Sequence, residues 1–375
     1  MGVDNTSELM LHGALDGDET SLRDCRAQRP TKVISEYLFH EAPEFRRLSE
    51  LRQIGWNNPR GDQFFAQQRR AADHADDKTS KIFYRMMENI GYDMHQLTGV
   101  FQIERPDPRK HSILDMCMAP GGFLATALHI NPRARALGFS LPKFNGGHSV
   151  LLPRYSNVTL KFHDITMLAA DMGLTDIPHD HPDAGNFLPS QFKSKQRFDL
   201  ALCDGQVLRN HERAAYREHR EASRLTLTQL ALGLEHIKPG GTMIVLLHKV
   251  EAPNTVQLLH TFEKFASVRL YKPAKSHAKR SSFYMLATNI RADCEEAAMA
   301  ISRWKKVWKM ATLGTNDMYH KTLLEDAVDA EVLLKEFGPR LVELGKEIWD
   351  IQANALAKAP FVRKVLQAQG GLSIH

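Results

Sequence analysis

The chain has 375 residues, of which 43% are hydrophobic and 25% charged, with a formal net charge of +5. That is enough apolar material for a real core, and it excludes wholesale disorder, collagen-like repeats and a long coiled coil. No run of about 18 uncharged apolar residues occurs, so no membrane span is expected.

Residues 1–45 are polar without a sustained period and read as a poorly ordered tail with one short helix. Their first thirty residues carry Asp4, Glu8, Asp16, Asp18, Glu19 and Asp24 and no apolar stretch, which argues against a secretory signal or a mitochondrial presequence. Met1-Gly2 with Thr6 meets the loose myristoylation pattern, which is short enough to arise by chance. From 46 to 100 the pattern is that of a helical extension: Phe83, Met87, Ile90, Met94 and Leu97 lie on one face. Pro106 and Pro108 close that unit.

From Ser112 the period changes. Strands are expected at 112–116, 134–139, 158–162, 198–203, 242–248, 268–271 and 283–287, with helices at 122–129 and 225–237 among them. This alternation predicts an α/β fold over 101–290: a Rossmann-like, doubly wound, mostly parallel seven-stranded sheet, its last two strands forming an antiparallel edge. Residues 171–197, rich in Asp, Pro and His, read as a long surface insertion. Residues 291–375 read as a helical C-terminal extension, interrupted at Gly338-Pro339. Cys25, Cys117, Cys203 and Cys294 have no CxxC spacing, so no structural zinc site or disulfide framework is expected, and a reducing compartment, cytoplasmic or nuclear, fits.

The strongest local signal is Leu114-Asp115-Met116-Cys117-Met118-Ala119-Pro120-Gly121-Gly122-Phe123, where the first strand gives way to a helix. Ligands of open α/β sheets bind at such strand ends. Two glycines let backbone approach a ligand, and Asp115 can accept from an ammonium or a hydroxyl. The motif is neither GxGxxG nor a phosphate-binding loop, so a ligand without phosphates is expected.

These residues resemble the cofactor motif of the FtsJ-like ribose 2′-O-methyltransferases. The resemblance continues through Phe198–Gly205, Leu225–Gly241 with its Lys-Pro-Gly-Gly end, Ile244–Val250, Lys272-Pro273 and Tyr284–Thr288. It implies S-adenosylmethionine held by Asp115, Ala119, Pro120, Gly121, Gly122 and Phe123. It also implies methyl transfer to a hydroxyl, a ribose 2′-OH of RNA being the leading acceptor. Families of this type use a Lys-Asp-Lys-Glu tetrad. The resemblance places Asp204 and Lys249 in it, strand-end neighbours that serve the proton transfer and the register of donor and acceptor. The first tetrad lysine is replaced by Arg85, which can fix a phosphate but cannot act as a base, and the glutamate by Ser282. Ser140 ends the second strand where an acid usually meets the ribose, and Asp164-Ile165 ends the third where the adenine is read.

For RNA, the basic segments 209–224, 272–280 and 303–309 flank the expected cleft. Trp304 and Trp308 read as core residues rather than stacking platforms, and His179-Asp180-His181 as a bare loop rather than a metal site. A small-molecule acceptor and a non-catalytic scaffold remain alternative readings.

Overall fold

The apolar alternation of residues 112–290 builds one seven-stranded sheet with strand order β3-β2-β1-β4-β5-β7-β6. In this computed structural model residues 19–73 and 76–368 are described; the myristoylation pattern lies outside them. The strands are β1 Ser112–Asp115, β2 Arg135–Ser140, β3 Val158–Phe162, β4 Phe198–Cys203, β5 Ile237–His248, β6 Ser267–Tyr271 and β7 Ser282–Ile290. Strands β1 to β5 pair in parallel, and β7 is antiparallel to both β5 and β6. All six residues of β4 are buried, as a central strand covered on both faces requires.

The last two strands form the expected antiparallel edge, with β7 between β5 and β6. One detail departs from the sequence reading. The helix expected to reach Ile237 ends at Glu235, because Phe198 N–H takes the His236 carbonyl and Ile237 pairs with Phe198 at the start of β5. Tertiary pairing here overrides the helical spacing of Ile237.

The helices are α1 Glu19–Glu41, α2 Pro43–Trp56, α3 Pro59–Asp73, α4 Asp77–Thr98, α5 Gly122–Ile130, α6 Glu221–Glu235, α7 Pro253–Glu263, α8 Glu295–Leu313, α9 Asn316–Asp326, α10 Ala330–Ala357 and α11 Pro360–Ala368. Local chemistry fixes the ends of α4: the Asp76 carboxylate accepts from Thr79 N–H, and Gly99 closes the helix at φ 69°. Its apolar stripe is shorter than the spacing promised, since Ile90 and Met94 are buried and Leu97 is exposed.

The terminal segments carry more structure than their polarity promised. Within the expected tail, α1 buries Ile34 and Leu38 and packs against α10 and α2. At the other end Gly338-Pro339 does not break α10. A proline inside a helix costs about 3 kcal/mol, but Phe337 and Leu341 bury on either side of it. Tyr37 Oη lies 2.6 Å from where a Cβ on Gly338 would stand, so α1 is seated directly on that glycine. The interruption falls instead before Asp329, whose carboxylate caps α10 at Glu331 and Val332.

Two apolar layers sandwich the sheet. One joins the sheet to α6, α7, α8, α10 and α2; the other joins it to α4 and α5. Among the described residues no helix is long and apolar enough to cross a membrane.

Candidate active site

Strand order reverses between β1 and β4: β1 leads outward to β2 and β3, β4 to β5. The crevice that opens at such a point lies at the carboxyl ends of the two strands, between Asp115 and Asp204. Met116 N–H bonds the Leu202 carbonyl and Met118 N–H the Phe139 carbonyl, which moor the turn to both neighbours. The Ala119–Pro120 peptide is cis, and Gly121 follows at φ 111°.

The two glycines have separate jobs. Gly121 adopts a backbone conformation that side chains disfavour, with Leu152 Cβ 3.0 Å from its missing Cβ. Gly122 is required by packing: a Cβ there would stand 2.5 Å from the Tyr84 carbonyl oxygen and 2.6 Å from Met87 Cβ. Its missing Cβ therefore makes room for α4 and brings the α4 turn that carries Arg85 against the motif. Phe123 is buried against Phe101 and Tyr284, so its ring belongs to the core.

The crevice is acidic, and among the described residues no cation contributes to the shift of either carboxyl. Burial, then the Asp204 charge, push the Asp115 carboxyl well above the usual carboxylate range; Cys117 N–H is its one compensating donor. Burial raises Asp204 to about 7. Burial and the same acids push up the Cys117 thiol. The Gln229 side chain holds the turn after Asp204, accepting from Gly205 N–H at 2.9 Å and donating to its carbonyl at 3.2 Å. At the end of β2 the Ser140 hydroxyl is buried with no hydrogen-bond partner. Two raised carboxyls that face no cation and an orphaned hydroxyl fit a cationic, hydroxyl-bearing ligand.

Asp164 is already engaged. One oxygen accepts from Thr166 N–H and Oγ1, the other from Arg217 at 2.6 Å, with His211 3.4 Å away. Burial alone would raise its pKa, but the Arg217 guanidinium, then His211 and Thr166, hold it below the usual range. The backbone N–H of Ile165 opens a 3-10 turn and has no partner within that turn. Asp164, His211 and Glu221 bring ligand atoms within 4.8 Å of one another, but Arg217 lies among them, bonding Asp164 and Glu221 at 2.6 Å each. A guanidinium thus holds the position a metal would take. His181 of the expected bare loop bonds the Thr312 carbonyl.

On the far side of the crevice the register corrects one expectation. Cys203 pairs with Val245, so the residue opposite Asp204 is Leu246, and Lys249 lies three positions further on. Consistent with that, no cation contributes to the Asp204 pKa. Lys249 is half-buried at φ 48°, held by its own N–H on the Ser281 carbonyl and its carbonyl on Ala252 N–H. Ser282, in the position of the missing glutamate, is buried and pairs with His248 across β5 and β7. Arg85 and Lys81 are exposed on α4.

The FtsJ-like methyltransferase family profile matches residues 90–290, more than half of the chain. The chain belongs to that family. Its cofactor is accordingly S-adenosylmethionine, and the acid pair with Ser140 fits that group's ammonium, sulfonium and ribose hydroxyls. No curated protein matches the chain. Distant likenesses in fold include the N-methyltransferase NodS from Bradyrhizobium japonicum WM9, at 14% identity over 54% of this chain and 97% of that one, TM-score 0.34. An rRNA methylase from Streptococcus thermophilus matches at 12% identity over 52% and 96%, TM-score 0.31.

Within this FtsJ-like domain the sequence reading missed the groups that hold the site. Gln229 left a signal, a polar residue on the buried face of an otherwise apolar helix. The basic run 209–224 looked like a solvated face or a phosphate surface. The structure instead buries Arg217, Arg220 and Arg224 against Glu221, Thr312 and the end of α8. Arg303, Lys305 and Lys306 are likewise paired, with Asp326, Glu235 and Glu325, and Trp304 and Trp308 are core residues, as the sequence reading expected.

Proposed function

We propose that this FtsJ-like protein transfers a methyl group to a hydroxyl, and that the acceptor is a ribose 2′-OH of RNA. The observation that carries the reading is the Asp115–Asp204 pair at the strand-order reversal, both carboxyls raised and neither facing a cation, beside the Gly121 turn and the unpartnered Ser140 hydroxyl. S-adenosylmethionine, when bound, supplies an electrophilic methyl group on a sulfonium. Asp115 and Asp204 balance the positive charge there, and Ser140 meets a ribose hydroxyl. The group would supply the methyl for a new O–C bond as its S–C bond broke, with Lys249 to orient the acceptor hydroxyl and water to take its proton.

An RNA acceptor is supported by the basic residue types gathered on the β6–β7 loop, although its innermost members are pushed toward their neutral forms. The β6–β7 loop places Lys272, His277 and Arg280 together with His248: burial, then Arg280, Lys272 and His248, push His277 down to about 4. Burial and the Arg52 charge push Lys272 down to about 7. The basic segment expected to face phosphate is therefore partly an inner scaffold: Lys272 Nζ donates to the Arg280 and Ser282 carbonyls and braces the loop. Lys249, Lys275 and the exposed Arg85 of α4 are the cations this reading assigns to phosphates.

The test is mass spectrometry of nucleosides after the protein is incubated with labelled cofactor and total RNA. A 2′-O-methylated nucleoside that disappears with Lys249→Ala is expected. Label found only in small-molecule extracts replaces RNA with a small acceptor, and no label anywhere removes the enzyme reading.

A further inference from the structure

The segment between β2 and β3, residues 141–157, contains no Asp or Glu and holds Lys143 and Arg154. From the Ser140 end of β2 this segment crosses the cofactor turn, where Leu151 N–H bonds the Pro120 carbonyl. Along it Phe144 is 87% exposed and Phe162, at the end of β3, 52% exposed. One exposed phenylalanine on a surface is ordinary. These two line the same pocket of about 380 Å³, together with Lys143 and His148 and with no acidic residue.

The loop presents Phe144 rigidly. Lys143–Asn145 form a single 3-10 turn, closed by Gly146 at φ 85°. Gly147 N–H returns to the Pro142 carbonyl, and Gly146 sits so close to the Asn210 carbonyl that a Cβ would stand 2.3 Å from it. A ring held out into water by a fixed backbone is placed to receive a flat partner at little ordering cost.

We propose that Phe144 and Phe162 form a stacking platform for unpaired bases of an RNA strand, with Lys143 and Arg154 on its phosphates, leading the strand to the methyl-donor turn. The proposal rests on the RNA reading above and adds the surface that admits the strand. The chemistry selects a single-stranded polyanion: π faces accept any base, the two cations of the segment are not offset by acid, and the pocket-lining Val150 adjoins Leu151, which bonds the cofactor turn. A lipid surface would need a broader apolar patch than two rings.

The experiment is fluorescence anisotropy of the full chain with a fluorescein-labelled single-stranded 12-mer RNA, alongside calorimetry with S-adenosylhomocysteine. Both rings are exposed, so their replacement does not endanger folding. Phe144→Ala with Phe162→Ala is expected to weaken RNA binding by about tenfold or more. Phe144→Trp is expected to retain binding, and homocysteine-cofactor affinity to stay within about twofold. Unchanged RNA affinity overturns the platform. So does a parallel loss of S-adenosylhomocysteine binding, which would make the rings part of the cofactor pocket, or a loss confined to anionic phospholipid vesicles. If the platform variants weaken RNA binding but bound RNA never gains a methyl group, the methylation reading falls and the platform stands.

Discussion

The acid pair at the strand-order reversal makes a quantitative demand on pH. In the free protein Asp204 is raised by burial to about 7, and Asp115 is raised as well by burial and by Asp204. A cationic ligand between them favours their ionised forms, so binding must lower both pKa values and release protons. Taking Asp204 alone, with its bound pKa back below 4, affinity falls tenfold per pH unit below 7. Between pH 8 and pH 5 that is about 100-fold, or about 2.7 kcal/mol. S-adenosylhomocysteine is the suitable probe, because its own ammonium does not titrate in that window. Calorimetry in buffers of differing ionisation heat should find close to one proton released at pH 6. His211 also titrates below neutrality, but burial keeps its pKa low, and Asp164 already faces it. Asp204→Asn removes the titrating group, so it should bind more weakly at pH 8 and lose most of the slope. A flat affinity from pH 8 to pH 5, or a slope that survives Asp204→Asn, refutes the assignment of these carboxyls to the cationic ligand.

Gly122→Ala should destabilise the fold by about 1–3 kcal/mol in urea unfolding and depress methyl transfer, because the new Cβ meets the α4 backbone at Tyr84 and must push Arg85's turn away; a change under about 0.5 kcal/mol would mean α4 yields freely. Arg217→Met strands Asp164, Asp183 and Glu221 without their shared cation and should cost about 3–5 kcal/mol at pH 7. In the wild type the lowered Asp164 and Asp183 stabilise the fold above pH 4 and lose that contribution as acid protonates them. In the variant those acids titrate higher, so its deficit should already shrink between pH 7 and pH 5, and a pH-independent deficit would contradict the ion-pair account.

The sheet was legible because its strands are short apolar runs bounded by turn residues. The extents of β3 and β4 follow from sequence alone, and the other five are placed within a few residues. What failed to read out depended on partners distant in the chain. Ile237 keeps a helical spacing yet pairs as strand with Phe198. Pro339 carries a breaker's chemistry yet stays helical where α1 and the sheet bury both its turns. Asp115, Asp204 and the Gly121–Gly122 turn were found by their order along the chain. The stagger that sets Leu246 rather than Lys249 opposite Asp204 is a property of pairing register, which no local pattern encodes. The same holds for the buried arginines of 209–224, whose charge argued for a surface until Glu221 and the end of α8 were brought beside them.

That stagger also explains what the terminal helices contribute. Lys249 does not sit on a strand, where neighbouring ladders would fix it; it sits in a left-handed turn that a non-glycine residue adopts only under constraint. Two residues on, Glu251 is buried and bonded to Arg52 of α2 at 2.6 Å, with Trp349 Nε1 of α10 at 3.4 Å. Arg52 also bonds Gln352 of α10, whose amide donates to the Lys279 carbonyl in the β6–β7 loop. One arginine therefore ties both terminal extensions to the segment after Lys249 and to the loop that accepts its backbone N–H. Burial raises Glu251, but the Arg52 charge outweighs it and keeps the carboxyl ionised. The helices flanking the methyltransferase domain act as a brace on its acceptor side, where the sheet alone leaves the lysine unsupported.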